Sequence, residues 1–280
     1  MGDGLLSYFT VGGGRLFYTD EGTGGETVLL VHGGTCDSHD WAAQIEPFGA
    51  HHRVIAPDLR GHGRSTEVTG GLTPREFADD LALLLDSLDA GPAVVVGHSL
   101  GATVASVLAV EHPDLVRAVV AVDPGYGFDA EFAAGVAAAF RGPDPVAVAT
   151  AVLGGMEASQ IDPALGWLPV WHSRRVLGTS PETVSGVFLG LFEPNEVTLR
   201  PAGEDYLRRR SCPVLTVSAE ASLKAKGIDL GWEESVSPHP YSRAVAWDGV
   251  GHWIQQERAP EFNALVLDWV AGLPTLEGEK

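Results

Sequence analysis

The chain has 280 residues, enough for one large α/β domain with an insertion and short for two full domains. A net charge of −19 disfavours nucleic acid and anionic membranes as partners, because both repel an acidic surface. Cys36 and Cys212 are the only cysteines, which excludes a disulfide framework, while 45% hydrophobic residues supply a sizeable core.

The opening Met1-Gly2-Asp3-Gly4 has neither a basic region nor a long apolar run, so no signal peptide is expected. No stretch approaches 18 uninterrupted apolar residues, so no membrane span is expected and a cytoplasmic location is. Residues 5–11 and 15–19 read as two strands joined by the Gly12-Gly13-Gly14 turn. Residues 27–31 form a short buried strand ending in His32-Gly33-Gly34, and residues 38–48 look helical. A strand at 53–56 leads into Asp58-Leu59-Arg60-Gly61-His62-Gly63-Arg64-Ser65, a loop rich in glycine and charge.

Thr73-Pro74-Arg75-Glu76 has the chemistry of a helix start: a capping threonine, proline at the first helical position and a glutamate that closes the capping box. Phe77, Leu81, Leu84, Leu85 and Leu88 then recur at helical spacing and make one apolar face. A strand at 93–96 runs into Gly97-His98-Ser99-Leu100-Gly101, with a helix-compatible segment, 102–111, directly behind it. The next strand, 116–122, ends in Asp123-Pro124.

From residue 125 to 211 the pattern changes. Residues 129–140, 145–153 and 181–192 read as helices with no clear strand between them, a helical cap inserted into a core of residues 1–124 and 212–280. Strands resume at 213–218 and 243–247, residues 220–241 hold one short helix, and 259–270 is the last helix. Strands alternating with helices predict an α/β fold with a mostly parallel sheet covered on both faces. In such sheets the site lies at the carboxyl ends of the strands, where His32, Ser99, Asp123, Ser218 and Gly251-His252 fall.

Ser99 stands on the sharpest corner of this plan. A strand-to-helix turn crowds the backbone at the serine, so its neighbours must be small, and Gly97 and Gly101 meet that need. The turn lifts the hydroxyl above the sheet edge and aims a helix N-terminus at it. The plainer reading of the corner is a strand–turn–helix junction with a serine cap. A serine hydroxyl is a poor nucleophile until a base takes its proton. Of ten histidines, His252 has the right place, after the last strand and before the last helix. His32 and His98 read as braces for the turn and its neighbouring loop, and His51, His52, His112 and His239 as surface residues.

Together these landmarks resemble the α/β-hydrolase family over nearly the whole chain outside the insertion. The resemblance implies an oxyanion hole made by the backbone N–H groups of Gly34 and Leu100, with Gly33 beside the substrate. It also implies a carboxylate that orients His252. Many relatives carry an aspartate just after the strand equivalent to residues 213–218, but Ser222 stands at that place here, and a neutral serine does not stabilise an imidazolium. The family's other place is the end of the strand after the nucleophile helix, where Asp123 sits. Asp123 is taken as the acid ahead of Glu220 and Asp229; the plainer reading of Asp123-Pro124 is a strand-ending turn.

An acid at this position is shared with haloalkane dehalogenases, which need a carboxylate nucleophile, and with fungal zearalenone hydrolases, which open a macrolactone. The latter also resemble this chain in a Pro-Val-Trp run, here Pro169-Val170-Trp171. Trp167, Trp171, Phe188 and Phe192 give the insertion large flat groups for a bulky apolar substrate, and the Trp171 N–H offers a donor to a lactone ring oxygen. Aromatic packing within the cap is the alternative for all four.

The expectation is a serine hydrolase acting on a hydrophobic ester or lactone, with Ser99, His252 and Asp123 as the triad and with no cofactor and no metal. Two further readings use the same residues: hydrolysis of a C–C bond in a diketone-like substrate, and a slow-turnover small-molecule receptor on a hydrolase fold. The expected partner is a small hydrophobic molecule, with no nucleic acid and no membrane; a homodimer is compatible with the sequence.

Overall fold

The computed structural model describes residues 7–68, 70–158, 161–193 and 195–275. Residues 1–6 and 276–280 of the expected core therefore lie outside the described residues, with the first two positions of the expected 5–11 strand. The described chain runs β1 (Ser7–Val11), β2 (Gly14–Glu21), β3 (Thr27–Val31), α1 (Ala42–Gly49), β4 (Arg53–Pro57), α2 (Pro74–Ser87), β5 (Ala93–His98), α3 (Leu100–Glu111) and β6 (Val116–Val122). A helical stretch follows: α4 (Ala130–Phe140), α5 (Pro145–Gly154), α6 (Leu168–Leu177), α7 (Pro181–Phe192) and α8 (Ala202–Leu207). The sheet then resumes with β7 (Val214–Ala219), α9 (Glu220–Lys226), α10 (Leu230–Ser235), β8 (Arg243–Trp247), α11 (Ile254–Glu257) and α12 (Ala259–Ala271).

The eight strands form one sheet in the order β1-β2-β4-β3-β5-β6-β7-β8. Only the pairings of β2 with β1 and β4 are antiparallel; every other pairing is parallel. The alternation of side chains along each strand divides the core in two. Val95 and Val119 join the face packed by α2 and α3, while Val94, Val96, Val120 and Val122 join the face with Phe48 of α1 and Phe262 and Val266 of α12. Both faces are apolar, which is why residues 93–96 of β5 and 118–122 of β6 read as unbroken Val/Ala runs. Thr73 and Glu76 close the expected capping box at the start of α2.

Several elements differ from the sequence reading, the short helices α8 and α11 among them, for which no helix is expected. The helix expected at 38–48 begins as a 3-10 turn, Ser38–Trp41, before α1. Helix α6 stands where no helix was expected: its inward stripe is Leu168, His172 and Val176, and the polar histidine in its middle breaks the apolar period. Two short helices, not one, occupy residues 220–241, divided by Gly227 at φ +64°. Helices α4 to α7 pack on one another between β6 and β7, whereas α8 packs against α3 of the sheet layer. No described helix is long and apolar enough to cross a membrane.

Candidate active site

Parallel β5 and β6 end side by side, and that places residues 99 and 123 at the same sheet edge. Ser99 has φ 53° and ψ −116°, a strained conformation for a residue with a side chain. Its neighbours have no room for a Cβ: at Gly97 one would collide with the Gly101 carbonyl, and at Gly101 with the Val31 carbonyl. Asp123 is likewise left-handed, at φ 40°. The Asp123 amide donates to Val217 of the neighbouring β7 at 2.8 Å, and its side chain turns toward the loop after β8.

There Asp123 meets His252. His252 Nδ1 lies 2.5 Å from Asp123 Oδ2. The same oxygen accepts the Ser222 hydroxyl at 2.7 Å, and Oδ1 accepts the Ala219 amide at 3.0 Å. Burial pushes the Asp123 carboxyl up, but the His252 hydrogen bond and charge, Lys226 and the Ser222 hydroxyl together outweigh it, and the group sits below the ordinary aspartate value. It is therefore an anion at neutral pH, and both Nδ1–H and Oγ–H donate to it. Lys226 Nζ donates to the Pro124 carbonyl at 2.5 Å.

Ser99, Asp123 and His252 line one cavity of about 370 Å³. Its other walls are chiefly apolar: Phe128, Phe132, Leu153, Met156, Phe188, Leu191 and Phe192. No hydrogen bond joins Ser99 to His252 among the described residues; with Nδ1 held by Asp123, Nε2 is the ring nitrogen left free beside the cavity that both line. Such bonds are often long before substrate binds and tighten with it.

A smaller pocket of about 20 Å³ adjoins Ser99 and is lined by Gly33, Gly34, Leu100 and His252 among others. It has the size of a single oxygen atom with its surroundings. Leu100 is the first residue of α3, so its N–H has no partner within the helix and carries the positive end of the helix dipole. A Cβ at Gly33 would stand 3.0 Å from His98 Nδ1 and 3.3 Å from Ser99 Cβ, so the loop approaches the elbow closely only because it is glycine.

Two histidines act as braces. His32 Nδ1 donates to the Gly33 carbonyl at 2.8 Å while Nε2 accepts the Leu59 amide at 2.9 Å. His98 Nε2 donates to the His252 carbonyl at 2.9 Å. Burial holds both imidazoles below the ordinary histidine value, so they are neutral and each has the one donor these bonds require.

The aromatic expectation divides. Phe188 and Phe192 line the cavity; Phe188 stacks on Phe140 at 4.2 Å and Phe192 packs at 4.9 Å from Phe128. Trp167 and Trp171 do not line it, and this corrects the sequence reading. They are 55% and 37% exposed, because Leu168, His172 and Val176 take the inward face of α6 and the preceding residue of each pair is rotated by about 100°. The Trp171 ring instead covers Arg175, whose guanidinium bridges Asp37 at 2.7 Å and Asp40 at 2.8 Å. The other two carboxylates considered lie elsewhere: Glu220 is exposed at the head of α9, and Asp229 caps α10 through the Trp232 amide. No cluster of three or more metal-ligating side chains exists among the described residues.

Sequence reasoning passed over His172 and Lys226. His172 stacks on Trp253 with 3.8 Å between centroids and bonds Glu157 and Gln256. The signal for it was its place between Leu168 and Val176 at helical spacing.

A family model described as alpha/beta hydrolase fold matches residues 26–190, more than half of the chain. The chain belongs to the alpha/beta hydrolase fold family. Epoxide hydrolase A of Mycobacterium tuberculosis is 30% identical over 300 residues, covering 89% of this chain and 92% of that protein. The dihydrolipoyllysine-residue acetyltransferase component of the acetoin cleaving system of Cupriavidus necator is 29% identical over 276 residues, covering 94% of this chain and 68% of the relative. Among solved structures, a thermophilic esterase from Thermogutta terrifontis matches with a TM-score of 0.76 at 28% identity, over 95% of this chain and 98% of the other. Est816, described as an N-acyl homoserine lactone degrading enzyme, has the same fold, with a TM-score of 0.75 at 24% identity over 94% and 99% of the two chains. In this alpha/beta hydrolase helices α4, α5 and α7 join the strand ends in enclosing the cavity, since Phe132 comes from α4, Leu153 from α5, and Phe188 and Phe192 from α7.

Proposed function

We propose that the protein is a serine hydrolase that cleaves the ester bond of a bulky apolar substrate, with a lactone as the favoured form. The observation that carries the reading is the Asp123–His252 pair standing in the same Phe-lined cavity as a strained elbow serine. Ser99 Oγ attacks the carbonyl carbon as His252 Nε2 takes its proton, and Asp123 holds the ring in the tautomer that leaves Nε2 free. The oxyanion turns into the small pocket, toward the N–H groups of Leu100 and Gly34. Fixed donors of this kind are worth about 3 kcal/mol each in the transition state. His252 then gives its proton to the leaving alkoxide, and water releases the acyl group from Ser99.

The nucleophile separates this chemistry from that named for the mycobacterial relative. A serine that opened an epoxide would be left as an alkyl ether, which water does not cleave; a serine that attacks an ester is left as an acyl ester, which it does. The similarity to the Thermogutta esterase supports the same choice. The Pro169-Val170-Trp171 run, which carried the expectation of a zearalenone-type macrolactone, lies outside the cavity, so the substrate class rests on the phenylalanines instead. We include the helical segment 125–211 in the reading as a cap that selects for bulk.

The test is Ser99→Ala measured on p-nitrophenyl esters and on lactones of rising bulk. The variant should keep the wild-type melting curve and lose nearly all turnover. A fluorophosphonate should add one mass label to the wild type and none to Ser99→Ala. More than about one per cent of residual rate would exclude Ser99 as nucleophile. A wild type that takes the label but turns over no ester would favour the receptor reading.

A further inference from the structure

Helix α9 begins where many members of this family would carry the acid, and it supplies no carboxylate to the site: Glu220 at its head is exposed. It grips the acid corner in another way. Ser222 and Lys226 lie one turn apart on the helix, on one face. Ser222 Oγ reaches Asp123 Oδ2 at 2.7 Å, and Lys226 Nζ reaches the carbonyl of the next residue, Pro124, at 2.5 Å. Asp123 needs such restraint, because at φ 40° its backbone is in a region that a residue with a side chain leaves readily.

Building on the triad reading above, we propose that Ser222 is a positioning residue for the acid–base pair, acting through the carboxylate oxygen that it shares with His252. Oδ2 takes two hydrogen bonds, one from each partner, and Oδ1 takes one from the Ala219 amide. An ionised carboxylate has no proton to give, so the Ser222 hydroxyl must donate. That donation does two things. With the Ala219 amide it fixes the plane of the carboxylate, so that Oδ2 stays in line with Nδ1. It also draws charge from Oδ2 and so weakens the pull of that oxygen on the Nδ1 proton. A serine that merely filled space or faced water would do neither.

The decisive measurement needs no turnover. In wild type, Ser222→Ala and Ser222→Thr, the low-field proton resonance of the His252 Nδ1–H is recorded and assigned by its loss in His252→Asn. Without the Ser222 hydroxyl Oδ2 holds the proton more strongly, so the resonance moves downfield in Ser222→Ala and stays near wild type in Ser222→Thr, which keeps a hydroxyl. The acid limb of the kcat/KM profile should move to higher pH in the alanine variant, and kcat on the plateau should fall on the order of tenfold with KM little changed. A resonance that does not move in Ser222→Ala, or that moves as far in Ser222→Thr, overturns the proposal whatever the rates do. An enzyme that hydrolyses no ester counts against the function reading and leaves this readout intact.

Discussion

The backbone amide of His252 donates to the carbonyl of Met156 at 2.9 Å, so the loop that carries the proposed base is tied directly to the helical segment over it. The tie is tight, since a Cβ on Gly251 would collide with the Ala158 amide. Behind it, His172 stacks on Trp253 and bonds Glu157 and Gln256, joining α6 to the loop and α11. His172→Ala is therefore expected to lower the free energy of unfolding by about 2–3 kcal/mol in urea titrations, by opening a gap beside Trp253 and removing the hydrogen bonds to the partly buried Glu157 and to Gln256. It should lower kcat/KM as well, because the His252 loop loses its backing. A change below about 0.5 kcal/mol would mean that the stack contributes little.

Asp123→Asn tests the acid. The substitution is nearly isosteric, so the fold should survive, but it removes the charge opposite the imidazolium and allows the wrong tautomer of His252. The expected loss in kcat is on the order of a thousandfold or more. Glu220→Gln and Asp229→Asn should each stay within about twofold, since one is exposed and the other retains its cap as asparagine. If Glu220→Gln were the crippled variant, the acid would have to come from the later strand end.

Substrate bulk should be read by phenylalanine and not by tryptophan. Phe192→Ala enlarges the cavity and should change the ratio of kcat/KM for a bulky lactone to that for a small acetate ester by about tenfold or more. Trp171→Ala should leave that ratio unchanged, because the indole covers Arg175 and does not line the cavity. A ratio that moved in the tryptophan variant and held in the phenylalanine variant would reverse the assignment.

Acid stability follows from buried neutral imidazoles. Burial, followed by repulsion from His32 once acid protonates that ring as well, lowers His62 to about 3. A histidine depressed in this way contributes stability that is complete above the unfolded value near 6.5 and is lost as pH falls toward the folded value. Between about pH 6.5 and 5 the unfolded chain binds a proton at His62 that the folded chain refuses. His62→Gln should therefore flatten the dependence of unfolding free energy on pH in that window, by an amount that rises to about 1.4 kcal/mol per pH unit at its acid end. Parallel slopes for the two proteins would place the proton uptake on other groups.

The elements that position the site could be read from the sequence because their requirements are local. Ser99 needs small residues two positions to either side, and a strand buried on both faces needs an unbroken apolar run; both requirements act within a few residues. The choice of Asp123 over Glu220 also came from position along the chain, and the structure sets Asp123 against a histidine 129 residues away. What tertiary structure decided was direction and pairing. Whether Trp171 or His172 faces inward is a rotation of about 100° on one helix, and only packing against Trp253 selects it. Ser222, which in sequence marks a missing aspartate, becomes a donor to Asp123 only because parallel β6 and β7 bring residues 123 and 222 to one sheet edge. Local sterics write the corners of this chain; the register of distant strands and the turn of each inserted helix determine which side chains meet there.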